Sequence, residues 1–465
     1  MIWDTLRRVA GRRPSARTRF VNAALLTASI ISLTAILSLR LYAALALPAV
    51  HTPWDDDTYR AAAASAETAQ SSAVTTYNLM LPHFGLVIDG RLNGYIDWLA
   101  VALKVHRMLG IGTRETTFQI LNTVMLFLQA AVLFGFARWS LRDRTLALTV
   151  AFLFIAAPMV FGTSRWVHTE NLVFLAGLSL SGLAAWLLES RSQAGRQIRW
   201  SHLGWVAAAA WGIGLCAKAR EYAAPSFIVL FFIVEVVLLL RKRWLEAIVL
   251  DLVTGAFIVP WAPALVEALK VTLSKGGASQ YFHSLTEWFP HVAFYTIGPA
   301  LTVLLLSLGA IVIYQRSRTL ARLVIRSTPV QLVRAELSGV RPLFWGHLFL
   351  LVFYFAFLVW SRNRVTRPAV PIMLAGLGLI LIGIRTLPYL RAWLLRTPAR
   401  LIALALIVLS WSVLAYQLVF AFDGGKLYAH HGFRLEYFNY PLRLRQLKDA
   451  SDSYICVDLC IYDKR

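Results

Sequence analysis

Eleven apolar stretches alternate along this chain with short, arginine-rich segments. They fall near 21–46, 117–137, 146–163, 171–189, 203–217, 224–240, 246–268, 292–314, 344–360, 369–385 and 400–421. A helix needs roughly 20 apolar residues to cross a hydrocarbon core about 30 Å thick. In lipid each backbone N–H and C=O must also be satisfied without water, which leaves the helix as the natural spanning element. The pattern predicts an all-α polytopic membrane protein of eleven transmembrane helices. With 58% hydrophobic residues and a mean hydropathy of +0.61, an ordinary soluble globule is excluded.

Charge then orients the spans. Lys+Arg number 46 against 24 Asp+Glu, a net charge of +22. The chain has no zinc-ligand array and no soluble segment large enough for a nucleic-acid fold, so this charge points to topology and anionic lipid headgroups rather than nucleic acid. The N-terminus carries Arg7, Arg8, Arg12, Arg13, Arg17 and Arg19 ahead of an apolar run with no cleavage site. Residues 1–20 are therefore expected in the cytoplasm. Alternation places Arg138/Arg142/Arg144, Arg191/Arg196/Arg199, Arg241/Lys242/Arg243, Arg316 to Arg341 and Arg385 to Arg400 on that side too, all nearly free of acid. The other side receives Asp55–Asp57, Asp89, Asp97, Glu170, Glu221 and Glu287. The transmembrane module is expected over 21–421, with a short extracytoplasmic tail over 422–465. Arg far outnumbers Lys and Ala is abundant, as in GC-rich bacterial genomes; the expected location is a bacterial cytoplasmic (inner) membrane.

Two outer loops stand out. In loop 48–116 the segment Asp97–Leu109 is apolar, too short to cross and charged on one face, which suits an interfacial helix. Loop 269–291 carries Gly276-Gly277, Tyr281 and Trp288, suited either to a mobile flap or to a plain connection. No repeat of fixed period is found. Cys216 lies in an apolar run as an inert packing residue, whereas Cys456 and Cys460, in the polar tail, could pair.

Three polar constellations lie on the outer side. The first is Trp54-Asp55-Asp56-Asp57-Thr58-Tyr59-Arg60. Clustered carboxylates at a bilayer rim cost energy unless they hold a cation, pair with a base or take part in proton transfer. Asp55 and Asp56 could deprotonate an acceptor or hold Mg or Mn; the alternative is that they cap a helix N-terminus. The second is Ser164-Arg165-Trp166-Val167-His168-Thr169-Glu170-Asn171. Asp56, Glu170 and His168 have ligand types for a divalent cation; alternatively Thr169 caps the helix with Glu170 in its first turn. The third comprises basic groups against the topological bias: Lys218 with Arg220, Arg364 with Arg367, and Arg91. Arginine suits bidentate capture of phosphate, and lipid headgroups would satisfy the same residues.

These residues resemble the GT-C superfamily of membrane glycosyltransferases, in particular the branch of protein O-mannosyltransferases and lipid A aminoarabinose transferases. That branch carries Asp-Glu-x-x-Tyr after its first span; Asp55-Asp56-Asp57-Thr58-Tyr59 matches with Asp56 in place of Glu. Glu170 matches its acid at the start of the fourth span, and Lys218 the lysine before a Pro-containing span in Gly212 to Pro225. Arg364-Val365-Thr366-Arg367-Pro368-Ala369-Val370-Pro371 keeps the Arg and both prolines of its late Arg-Tyr-x-x-Pro-x-x-Pro motif but lacks the Tyr. Residues 90–98 lack the prolines of the family's outer loop.

The resemblance implies a sugar donor on a polyprenyl phosphate, transferred by one inverting displacement. Asp55, Asp56 and Glu170 would be catalytic. Lys218, Arg220, Arg364 and Arg367 would grip the donor phosphate, while Tyr59, His168 and Arg91 would touch substrate. The acceptor would be a cell-envelope glycan, lipid or protein. A transporter or lipid flippase is the other reading, along with a ligase using a lipid diphosphate. Spans almost free of charge, with the acids at one rim, favour the enzyme.

Overall fold

The structure, a computed structural model, describes residues 16–46, 60–64, 94–110, 114–164, 169–190, 200–217, 219, 223–274, 289, 293, 297–361, 369–422, 454–457 and 459–462. The apolar runs form helices. These are α1 (Ala16–Ala46), α3 (Arg114–Leu141), α4 (Arg144–Ile155), α5 (Pro158–Thr163), α6 (Glu170–Glu189), α7 (Trp200–Ala217), α8 (Ala224–Leu240) and α9 (Trp244–Ser274). The later part adds α10 (Pro299–Arg326), α11 (Pro329–Glu336), α12 (Arg341–Ser361), α13 (Ala369–Thr386), α14 (Pro388–Leu394) and α15 (Thr397–Phe422). Seven of them, α1, α3, α6, α10, α12, α13 and α15, are long and apolar enough to cross a membrane by length and composition. The chain is an all-α multi-pass membrane protein. Near its C-terminus the short strands Tyr454–Val457 and Leu459–Tyr462 pair antiparallel, with Cys456 and Cys460 as backbone partners.

Helix α13 is the hub. It is apolar all round, and residues 369–384, Ile372 excepted, are buried, as a helix enclosed on every side must be. It packs against α12, α10, α3 and α6. Its glycines permit that closeness: a Cβ at Gly383 would overlap Val312, and one at Gly378 would overlap the His347 ring. At the periphery, α1 is tied in by hydroxyls. Ser29 Oγ and Thr149 Oγ1 are 2.8 Å apart, and Trp411 Nε1 donates to Ser32 Oγ at 2.8 Å.

The third and eighth spans depart from expectation. The third, expected as one helix over 146–163, breaks between Ile155 and Pro158, because proline cannot donate to the helix and its ring clashes with the preceding turn. Together α4 and α5 rise about 27 Å, close to a bilayer core. The eighth, expected from 292, starts at Pro299 behind Gly298, whose φ of 84° is left-handed backbone that glycine adopts freely. A Cβ on Gly298 would approach Pro158 Cδ to 2.9 Å, so the two irregularities pack on each other.

The arginines expected in cytoplasmic loops are more than topological markers. Arg385 pairs with Glu189 and lies 5.0 Å from the Trp139 ring centroid. Arg400 pairs with Asp143 at 2.6 Å, and Arg243 with Glu246. Arg316 is buried, pairs with Glu336 and lies over Phe344. Arg241 Nη1 donates to Leu188 O at 2.8 Å, and its Nη2 to Gly339 O at 2.6 Å. Its burial, with Arg243 beside it, lowers the Arg241 pKa. The segments around 139–143, 187–190, 241–246, 336–341, 385 and 400 are thereby stitched into one layer at one end of the bundle.

Candidate functional site

At the opposite end lies a second buried polar layer. Its centre is Arg40, three-quarters of the way along α1 and 0% exposed. Arg40 Nε donates to Ser164 Oγ at 2.8 Å, and Nη2 to Gln119 Oε1 at 3.0 Å, to Gln119 O at 3.2 Å and to Ser164 O. Ser164 closes the third crossing after α5, and Gln119 sits in the second turn of α3. One guanidinium thus joins three crossings. Its planar fork explains why arginine serves here: a lysine has neither the span nor the fixed donor directions.

Further buried polar side chains follow on the same and the next segments: Asn122, Thr123 and Gln129 along α3, and Thr169, Glu170 and Asn171 at the start of α6. Tyr95 donates to Asn122 Oδ1, and Gln129 Nε2 donates to Asn171 O at 2.8 Å. Arg60, directly after the acidic motif, lies 5.2 Å from the Phe118 ring centroid, one residue from Gln119.

Among the residues expected in the site, Glu170 is described. It begins α6 and is 0% exposed. The alternative reading of Thr169 as its cap does not hold. Thr169 has helical dihedrals and makes no side-chain capping bond, and its buried Oγ1 has no partner among the described residues. Asp55, Asp56, Tyr59, Arg91, His168, Lys218, Arg220, Arg364 and Arg367 lie outside the described residues. Among the described residues no three His, Cys, Asp or Glu side chains group to hold a metal.

The helix α2 (Tyr95–Leu109) forms where the interfacial segment was expected. Its face is reversed in one respect: Asp97 is buried with Tyr95, Ile96, Leu99, Ala100 and Leu103, while Val105, Met108 and Leu109 are exposed. The helix docks on α3, and His106 Nδ1 lies 2.9 Å from Thr117 Oγ1. The apolar tip projects instead, because the docked face carries the groups that find partners. Cys216 is a buried free thiol, as expected of a packing residue.

Arg40 is the residue that sequence reasoning missed. A charged side chain inside an apolar run was the available signal, since an intramembrane charge is costly without a task.

No protein-family model matches the chain, and no curated protein matches its sequence. Solved structures similar to it include the following two. ArnT from Cupriavidus metallidurans bound to undecaprenyl phosphate is 16% identical, with a TM-score of 0.49, over 89% of this chain and 68% of that one. The Archaeoglobus fulgidus oligosaccharyltransferase, in complex with Zn and sulfate, is 13% identical, with a TM-score of 0.43, over 89% of this chain and 57% of that one. The chain therefore spans little more than half the length of the oligosaccharyltransferase.

Proposed function

We propose that this chain is a GT-C glycosyltransferase that moves a sugar from a polyprenyl-phosphate donor to a cell-envelope acceptor on the outer face of the bacterial cytoplasmic membrane. One observation carries the reading. Described residues beside two motif segments share one anchor: Arg40, ahead of residues 55–59, bonds Ser164, ahead of His168, and Arg60, directly after the acidic motif, lies over Phe118, the neighbour of Arg40's partner Gln119.

In this reading the Asp55 carboxylate takes the proton of the acceptor hydroxyl or amine. The acceptor attacks the anomeric carbon as the bond to the phosphate oxygen breaks. Inversion follows from a single displacement. Negative charge builds on the departing polyprenyl phosphate, where Lys218 and Arg364, with Arg220 and Arg367, stabilise it. Asp56 and Glu170 orient the acceptor, and Tyr59, His168 and Arg91 line the substrate path. A divalent cation, Mg or Mn, would be held by Asp56, Glu170 and His168 and would neutralise phosphate charge.

The test is turnover by the purified protein in lipid nanodiscs. A sugar on a polyprenyl monophosphate should be consumed with release of the lipid phosphate, and Asp55→Asn should slow this about a hundred-fold or more. Turnover of a lipid diphosphate glycan alone would favour a ligase. Movement of lipid between leaflets of a vesicle without sugar transfer would favour a flippase. Chelation with and without added Mg or Mn reads the cation directly.

A further inference from the structure

Five helices, α6, α7, α8, α12 and α13, line a narrow cavity of about 20 Å³. Its walls are mostly apolar, but Ser181, Cys216, Ser226 and His347 also line it. His347 is the anomaly. It is 2% exposed, and neither ring nitrogen has a hydrogen-bond partner among the described residues. A neutral imidazole offers one N–H donor and one acceptor nitrogen. Leaving both unmade inside a bundle at membrane depth is costly, and native structures rarely do so.

The ring cannot turn elsewhere easily. One face lies against Gly378 of α13, where even a Cβ would overlap it. The open direction is the cavity. Two hydroxyls there have spare acceptor capacity. Ser181 Oγ donates to Gly177 O at 3.0 Å, and Ser226 Oγ lies 2.9 Å from Tyr354 Oη. Each hydroxyl oxygen has two lone pairs, so each can accept a further bond.

We propose that this cavity binds an ordered water held by His347 and the Ser181 or Ser226 hydroxyl. The size fits. A water needs roughly 10–15 Å³ of this kind of space, so the cavity holds one molecule rather than a chain of them. The polarity fits as well: purely apolar cavities of this scale stay dry, whereas a site with two to four polar partners retains its water. The water is a structural ligand of these helices. It lies between α12 and α13, the two helices that bracket residues 362–368, and so helps to fix their spacing.

Radiolytic hydroxyl labelling of the full-length protein in nanodiscs, read by mass spectrometry, tests this, because a trapped water generates hydroxyl radical beside its neighbours. His347, Cys216 and the cavity residue Phe227 should be labelled several-fold faster than equally buried Phe152 and Phe174. Labelling of the cavity residues at the rate of Phe152 and Phe174 overturns the proposal. In His347→Met the cavity loses its main polar group, and labelling of Phe227 and Cys216 should fall to that background. Undiminished labelling in a folded His347→Met protein would show that His347 does not hold the water. If the variant does not fold, the wild-type rates still decide.

Discussion

Arg40 holds Ser164 across 124 positions of sequence, Nε to Oγ at 2.8 Å, with both residues fully buried. The bond fixes the last quarter of α1 to the end of the third crossing. Residues 47–59, with the acidic triplet, follow one partner and residues 165–168, with His168, the other, so the two motif segments continue from a common anchor.

Arg40→Met should therefore destabilise the protein and strand the Gln119 and Ser164 oxygens. Hydrogen bonds to a charged group are worth about 1.5–3 kcal/mol each when made, and orphaned buried acceptors add to the loss. A total near 3 kcal/mol is expected. Denaturant unfolding in detergent measures it. Arg40→Lys should recover less than half, since one ammonium cannot reach both partners. An unchanged midpoint in Arg40→Met would show the anchor to be dispensable.

Asp55→Asn keeps side-chain shape and removes the charge. Turnover should fall by about two orders of magnitude or more, the scale of a lost general base. Unfolding should be nearly unchanged. Wild-type rates would move the role to Asp56 or remove acid catalysis at this motif.

Arg364→Ala should reduce donor use about ten- to a hundred-fold, the equivalent of one charge-assisted contact of roughly 1.5–3 kcal/mol. Arg364→Lys should recover part, because the point charge remains and the planar fork is gone. Donor-concentration curves decide. Two near-normal curves would leave Arg364 as a headgroup anchor.

A topology reporter inserted after Lys242 separates an eleven-span from a seven-span arrangement. With eleven spans, six precede Lys242 and the reporter faces the cytoplasm; with the seven long apolar helices alone, three precede it and the reporter faces outside. The bonds of Arg241 to Leu188 O and Gly339 O put this turn at the same end as 188 and 339. Cytoplasmic reporter activity is expected. A fusion after Arg465 should be active outside.

The sequence alone determined the helices. Each of the eleven apolar runs appears as a helix, or in one case as two, because burial from water and backbone satisfaction are both local demands that periodicity and length express directly. The break at Pro158 was not drawn in the expected span 146–163, although proline, which lacks the helix donor, was the local signal for it. The acidic and basic motifs could be read as chemistry, and the rule that arginines stay inside predicted which loops belong together; the hydrogen-bonded layer from Arg241 to Arg400 joins those loops.

Tertiary structure decided which charges are buried and against what. Arg40 reads in sequence as one blemish in an apolar run, yet its partners lie 79 and 124 positions away. Glu170 and Asp97 read as rim acids and are buried. His347 is one histidine among apolar residues, and only packing sets its ring against Gly378 of another helix and in the wall of a cavity. Hydropathy is a sum over neighbours in sequence. The cost of a buried charge or imidazole depends on a few atoms brought within about 3 Å by segments far apart in the chain, and that distance exists only after the helices have packed.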